Sequence, residues 1–408
     1  ELDPALKRTL GVPIFQEQVM QICMIAAGFT GGEADTLRRA MAAWKRKGGL
    51  HRFRERIIEG MTRNGYEAEF AENLFKQIQG FGDYGFPESH AYSFAILAYF
   101  SAWIKCHEPA IFVTALLNSQ PMGFYGPSQL VQDAKRHGVQ VRRIDVMHSD
   151  WDCTLEPREL DDAPPREFDE QPQPAMRLGL RLVRGLAQEA GERIAQARQL
   201  GGSFIDVEDL ARRASLDAQQ LQQLASADAL LSLSGHRRQQ LWAAAGHQRS
   251  GPLLSDAPSR EAPLALPRAA EGEEIVQDYD ATGLTLRRHP VALLRAQLQR
   301  RRMRSAKELA QLRDGQLTWA CGIVTMRQQP ETAKGTIFVT LEDETGSVNV
   351  IVWRRLREKQ RQALLGARLL AVAGVWQSQS GVMHLVARHL LDVSDWLGRL
   401  HTASRDFH

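Results

Sequence analysis

The chain has 408 residues, of which 43% are apolar and 24% charged, with a formal net charge of +3. That length exceeds what a single core usually serves, so roughly two to four domains are expected, with ordinary soluble composition and a net charge too small to name a partner. The four cysteines, Cys23, Cys106, Cys153 and Cys321, lie far apart without a C-x-x-C pair, which argues against a disulfide framework or a zinc site and fits a reducing cytoplasm. The first residues, Glu1-Leu-Asp-Pro, are no secretory signal, and because they lack Met inside an apparently structured region, a fragment is expected.

Charge is segregated along the chain. Between Arg38 and Arg56 eight Lys or Arg residues face one acid, Glu55, and a second basic cluster holds Arg295, Arg300, Arg301, Arg302 and Arg304. Residues 156–170 carry seven acids. Such faces suit a polyanion, although each run also reads as a solvated surface.

In chain order, residues 1–145 read as mostly helical. Phe15, Val19, Ile22 and Ala26 fall on one helical face that Gly28 ends, and Phe70, Leu74 and Ile78 mark another helix. His90 to Cys106 is apolar nearly all round, the pattern of a buried helix, and its core is shorter than a membrane span. Pro109 opens a helix ending near Asn118. The acidic stretch around Pro164 and Pro165 reads as a linker, residues 176–245 as helical, and residues 248–278 as a second flexible connection. From Leu317 the period becomes that of strands. Three strands, a short helix (Arg354 to Leu364) and two more strands give the order of an OB-fold barrel.

The expected fold class is therefore multidomain, a helical part followed by a small β-barrel. The expected division is 1–150, a linker at 151–175, a helical module at 176–246, a connection at 247–312, the barrel at 313–395 and a tail at 396–408.

Four groups of residues carry chemistry. Arg38 and Arg39, with Lys45, Arg46 and Lys47 beyond, could clamp a triphosphate or a nucleic-acid backbone, or the two arginines could pair with Glu33 and Asp35 across helical turns. In Gly80-Phe-Gly82-Asp-Tyr84-Gly85-Phe86-Pro-Glu-Ser89-His90, Tyr84 could stack on a base, Ser89 is placed to cap the next helix, and His90 falls in its first turn. The aromatics could equally plug a core. Leu182-Val-Arg184-Gly185-Leu-Ala187 resembles a helix-hairpin-helix turn, which offers N–H groups to DNA phosphates, with Ala187 where a second glycine is usual. In the barrel, Phe338, Trp353 and Trp376 could stack on a single strand, and Trp353 leans towards core.

Gly11-Val-Pro-Ile-Phe-Gln-Glu-Gln18, the two segments around Arg38 and Tyr84, and Gln120-Pro-Met-Gly-Phe-Tyr125 together resemble, in order and spacing, the fingers of the bacterial C-family DNA polymerases. Replicative members usually carry Asn-Lys where this chain has Pro87-Glu88, and with the terminal Ser404-Arg-Asp-Phe-His408 this spelling resembles the error-prone branch. The resemblance implies a part of a DNA-directed DNA polymerase of damage-induced translesion synthesis. In it, residues 1–150 would be fingers and residues 176–246 a helix-hairpin-helix module. It further implies that Arg38, Arg39, Tyr84, Ser89 and His90 meet the incoming nucleotide, while Lys45, Arg46, Lys47, Arg184, Gly185 and Phe338 meet DNA. The Mg²⁺-binding aspartates of such enzymes lie in a palm outside this chain, so the chain is expected to be inactive by itself. Asp150-Trp-Asp152 has the right spelling but follows the fingers, and reads as surface. Implied partners are template-primer DNA, a deoxynucleoside triphosphate, a sliding clamp held through Gln248 to Leu254, and a Y-family-like accessory protein; no membrane is implied. The alternatives are a replicative polymerase III alpha-subunit fragment and a non-enzymatic nucleic-acid-binding protein.

Overall fold

The computed structural model describes residues 2–42, 51–81, 87–122, 125–158, 173–246, 264–330, 333, 335–400, 402 and 405–407. These fall in two units, Glu1–Cys106 and His107–His408. Lys45, Arg46, Lys47, Tyr84 and the Gln248–Leu254 stretch lie outside the described residues.

The first unit is helical: α1 (Asp3–Leu6), α2 (Gln16–Ala27), α3 (Gly31–Ala42), α4 (His51–Arg63), α5 (Ala68–Phe81) and α6 (Glu88–His107). Helix α2 starts and stops for local reasons. The buried Gln18 side chain accepts from the N–H groups of Ile14 at 2.8 Å and Phe15 at 3.0 Å, and donates to the Ala5 carbonyl at 2.9 Å. Gly28 then ends the helix at φ 65°, a left-handed conformation that costs glycine little. Thr30 and Glu33 cap α3 reciprocally, the Thr30 N–H donating to the Glu33 carboxylate at 2.8 Å and the Glu33 N–H to the Thr30 hydroxyl at 3.3 Å. Val19, Ile22, Leu37, Ile57, Met61 and Ile78 form the core. Arg56 lies over the Phe29 ring and donates to the Ala27 carbonyl at the end of α2, fixing α4 across it.

Helix α6 corrects one expectation. Its sequence is apolar nearly all round, yet no residue of it is buried, and Tyr92, Phe94, Leu97, Tyr99 and Phe100 are exposed. Apolar composition reports what a helix would cover, and the described residues of this chain leave that surface open. A second correction concerns Ser89. Helix α6 begins at Glu88, the Ala91 N–H already donates to the Pro87 carbonyl at 3.0 Å, and Ser89 sits inside the first turn.

In the second unit, α7 (Pro109–Asn118) and α8 (Pro127–Arg136) pack against a small sheet of β1 (Val141–Arg142), β3 (Ala175–Arg177) and β2 (Thr154–Glu156), in that order. Strands β2 and β3 pair antiparallel, so the described residues on either side of the acidic stretch belong to one sheet. Helices α9 (Gln188–Gly201), α10 (Val207–Arg213), α11 (Ala218–Ser226), α12 (Leu231–Ser234) and α13 (Arg237–Gly246) share one core with that sheet, including Met176, Leu180, Ile194, Leu210 and Leu224.

Helix α14 (Glu271–Thr282) occupies part of the stretch expected to be flexible. The acids that made it look like a linker, Glu271, Glu273 and Glu274, are in its first turn, where they favour the positive end of the helix dipole. Helix α15 (Pro290–Arg300), strand β4 (Met303–Arg304) and helix α16 (Ala306–Leu309) lead into the barrel.

The barrel comprises β5 (Leu317–Gln328), β6 (Ile337–Asp343), β7 (Gly346–Val352), β8 (Leu369–Gln379) and β9 (Val382–Asp392), with α17 (Arg354–Lys359) and α18 (Arg361–Gly366) between β7 and β8. Neighbours run β5-β6-β7-β9-β8 and close through β8 on β5, with β7 and β9 parallel. That is the closed OB-fold order expected from the pattern. Val339, Leu341, Val350, Val372 and Leu385 fill the interior. Trp376 is also inside, at 4% exposure, whereas Trp353 is 54% exposed. The reason is alternation: Val348, Val350 and Val352 point inward, so Trp353 points out. Strand β10 (Arg405–Phe407) adds parallel to β5 at Met326 to Gln328.

Candidate nucleic-acid interface

In the first unit, Arg38 and Arg39 converge on one carboxylate. Asp35 takes the Arg38 guanidinium at 2.9 Å and that of Arg39 at 2.8 Å. The Arg38 hydrogen bond, with the charge of both arginines, holds the Asp35 carboxyl below the usual carboxylate range. Glu33 instead faces Arg56 at 3.4 Å. Arg39 remains 75% exposed at its side chain, so it can still meet an outside anion.

Ser89 and His90 are both exposed at the start of α6, and the His90 ring stacks tilted on Phe94 at 4.5 Å between centroids. That start is tied back to α2, since the Glu88 N–H donates to the Glu17 carboxylate at 2.8 Å and Arg8 pairs with the Glu88 carboxylate. Two sequence segments, Gly11 to Gln18 and Pro87 to His90, thus meet. Among the described residues no hydrogen bond or ion pair joins Arg38 or Arg39 to Ser89 or His90.

The hairpin turn of the second unit is built on Gly185, at φ 80°. A Cβ there would lie 2.8 Å from the amide nitrogen at the flexible end of Gln223, so it is the conformation that favours glycine at this position. Ala187, by contrast, has φ −74° and ψ 148°, an ordinary conformation, and caps α9 without needing a second glycine. The Arg184 N–H donates to the Ala281 carbonyl at 2.9 Å and its guanidinium to the Asp280 carbonyl at 3.0 Å, docking the turn on the last turn of α14. A polar cavity of about 460 Å³ adjoins the turn, lined by Arg184, Gln219, Gln222, Gln223, Ser226 and Asp280 among others. Arg237 is 1% exposed and pairs with Glu274 and Asp278, so it belongs to the interior and not to a DNA-facing surface.

On the barrel, Phe338 sits on the outer face of β6 and is 38% exposed. The register sets Phe338 opposite Ile351 and Thr340 opposite Asn349, and Trp353 continues the row beyond β7. The sequence reading singled out Phe338 but not Thr340, Asn349 and Ile351; their alternation with the buried valines was the available signal. A strip with two exposed aromatics and small polar groups can stack bases with little preference for sequence.

Among the described residues no group of three His, Cys, Asp or Glu side chains could hold a metal ion. Asp150 pairs with Arg198 and Asp152 with Arg181, so this Asp-x-Asp spelling does not fit a Mg²⁺ pair. No helix among the described residues is long and apolar enough to cross a membrane, and all four cysteines are free thiols.

Three family descriptions match separate parts of the chain: the bacterial DNA polymerase III alpha subunit finger domain over residues 1–65, a helix-hairpin-helix motif over 138–240, and an OB-fold nucleic acid binding domain over 318–393. Proteins named error-prone DNA polymerase match nearly the full chain. That of Methylococcus capsulatus is 55% identical over 413 residues, 100% of this chain and 39% of its own length. That of Alkalilimnicola ehrlichii is 57% identical over 403 residues, 99% of this chain and 38% of its own. That of Burkholderia pseudomallei is 57% identical over 408 residues, 100% of this chain and 37% of its own. The chain therefore spans under two-fifths of these relatives. With a finger segment, a helix-hairpin-helix and an OB-fold in this order, the chain is similar from one end to the other to part of these error-prone DNA polymerases.

Proposed function

We propose that this chain is the template-holding and nucleotide-positioning part of a DNA-directed DNA polymerase that acts in error-prone, damage-induced synthesis. The supporting observation is the strip of Phe338 and Trp353 on the outer barrel face, in a chain that also carries a glycine hairpin at Gly185. The hairpin amides take the duplex backbone through its phosphates, and the strip takes the unpaired template through its bases. In this reading Arg38, Arg39, Tyr84, Ser89 and His90 meet a deoxynucleoside triphosphate, and Lys45, Arg46 and Lys47 meet DNA. The Mg²⁺ that activates the primer hydroxyl belongs to carboxylates of a palm that these residues do not supply. A sliding clamp and a Y-family-like accessory protein are the partners of this reading, and the cytoplasm its place.

The test is DNA binding and extension by the 408-residue chain. It should bind a primed template with an affinity that falls steeply with salt, and should extend no primer with Mg²⁺ and all four deoxynucleotides. Phe338→Ala and Trp353→Ala should each weaken single-strand binding about tenfold, in line with a stacking contribution of roughly 1–3 kcal/mol per base. Primer extension by the chain would overturn the division of labour, and unchanged binding in both variants would overturn the role of the strip.

A further inference from the structure

The chain leaves the aromatic strip at Trp353 and turns at once into α17 and α18. There Gly335, Arg354, Arg357, Glu358 and Arg361 line a cavity of about 320 Å³. Its wall is fixed from two sides. Gly335, at φ 86°, lets the loop between β5 and β6 run against Arg354, whose Cδ would lie 3.4 Å from a Cβ at that position. Arg357 donates through Nη1 to the Gly335 carbonyl at 3.3 Å. Three guanidinium groups and one carboxylate line it, and that carboxylate, Glu358, is engaged by Arg354 at 2.8 Å. Arg361 is exposed and makes no ion pair among the described residues, so the cavity keeps a surplus of positive charge.

Both walls of the cavity are close in sequence to the strip, since Trp353 precedes Arg354 and Phe338 follows Gly335 by three residues. A guanidinium presents a planar fork of N–H donors that matches phosphate oxygens, which a surface lysine does not. We propose that this cavity seats a phosphodiester of a single DNA strand whose bases lie on Phe338 and Trp353. The inference rests on the reading of the strip as the template face and adds a backbone anchor beside it. It makes the helical insert between β7 and β8 part of the binding surface, where the sheet alone would provide stacking without a fixed register.

The experiment uses the full chain, a fluorescein-labelled oligo-dT of about 16 nucleotides, and binding isotherms across a salt series. Losing one phosphate contact on a single strand lowers the slope of log affinity against log salt by about 0.7. Arg361→Gln should lose about that much slope and bind more weakly at low salt, and the double variant Arg357→Gln/Arg361→Gln should lose about twice as much. Arg361→Lys should keep the slope of the parent. Trp353→Ala should weaken binding at every salt concentration with the slope unchanged. A slope unchanged in Arg361→Gln while Trp353→Ala weakens binding overturns the phosphate seat and leaves the template face standing. Unchanged binding in both overturns the two together.

Discussion

The carboxylate of Glu17 accepts the backbone N–H of Glu88 at 2.8 Å, joining the first turn of α2 to the first turn of α6. Helix α6 thereby gains the anionic partner that its exposed N–H groups favour, although Ser89, the expected cap, lies two residues past the cap position at Pro87.

Removing that partner with Glu17→Ala should fray the start of α6 without unfolding the unit. A charge-assisted bond at a half-exposed helix end contributes about 1 kcal/mol, so amide exchange at Glu88 to Ala91 should quicken about fivefold. Hydrogen exchange followed by mass spectrometry reads this directly. Equal protection in variant and parent would show that Arg8 alone holds the segment.

Arg237 is buried in an ionic cluster of the second unit. Its side chain has no exposure, and it meets the carboxylate of Glu274 at 3.0 Å and that of Asp278, while Arg287 bridges Glu274 at 2.7 Å and Asp228 at 3.1 Å. The cluster fastens α13 and the turn before α12 to α14. Removing Arg237 leaves Glu274 and Asp278 to share Arg287 with Asp228, and breaking a buried pair typically costs about 3–5 kcal/mol. Arg237→Met should therefore lower the urea midpoint of this unit sharply, and neutralising Glu274 and Asp278 in the same chain should recover part of the loss. A midpoint unaltered by Arg237→Met would mean that the network is solvated in practice.

The thiols should separate by reactivity. Burial pushes Cys23 up to about 12, Cys153 to about 11 and Cys321 to about 12, while Cys106 is exposed on α6. Only the thiolate attacks an alkylating agent, and a raised pKa keeps a thiol neutral until the pH approaches it. Between pH 7 and 9 N-ethylmaleimide should therefore label Cys106 alone in the native chain, and all four thiols in urea. Peptide mapping that finds Cys153 modified as fast as Cys106 would refute the packing around Gly179, whose N–H lies 3.3 Å from its sulfur.

How far the sequence could be read depended on whether a signal was local. Phe15 to Gly28 carries its own start and stop, and Pro109 to Asn118 has proline at one end and a polar break at the other, so both helices were legible. The barrel was legible because β7 and the start of β6 alternate with a period of two and because its strands follow one another with short breaks. What failed was exposure. The ring of apolar residues on α6 and the indole of Trp353 were both assigned to an interior, for composition shows a preference for burial without showing whether a cover is supplied. At Trp353 the alternation of Val348, Val350 and Val352 already contained the right answer. The acids opening α14 misled in the opposite way, since a helix N-terminus and a solvated linker favour the same residues. At the candidate site, Gly185 was legible from its neighbours, but the docking of Arg184 on the Asp280 carbonyl joins positions distant in the chain and leaves no local trace.

Strand β10 has a consequence for anyone who shortens or extends this polypeptide. Strand β8 accompanies β5 only from Leu317 to Ile323, and Arg405 to Phe407 lie along its remaining length at Met326 to Gln328. Cut away, those three residues would uncover a ribbon of unsatisfied amides and carbonyls beside hydrophobic sheet, a ready docking rail for the same ribbon in another molecule. A truncated preparation would then lose itself to filaments or precipitate before its DNA affinity could be measured, and a purification tag is safer at the opposite terminus.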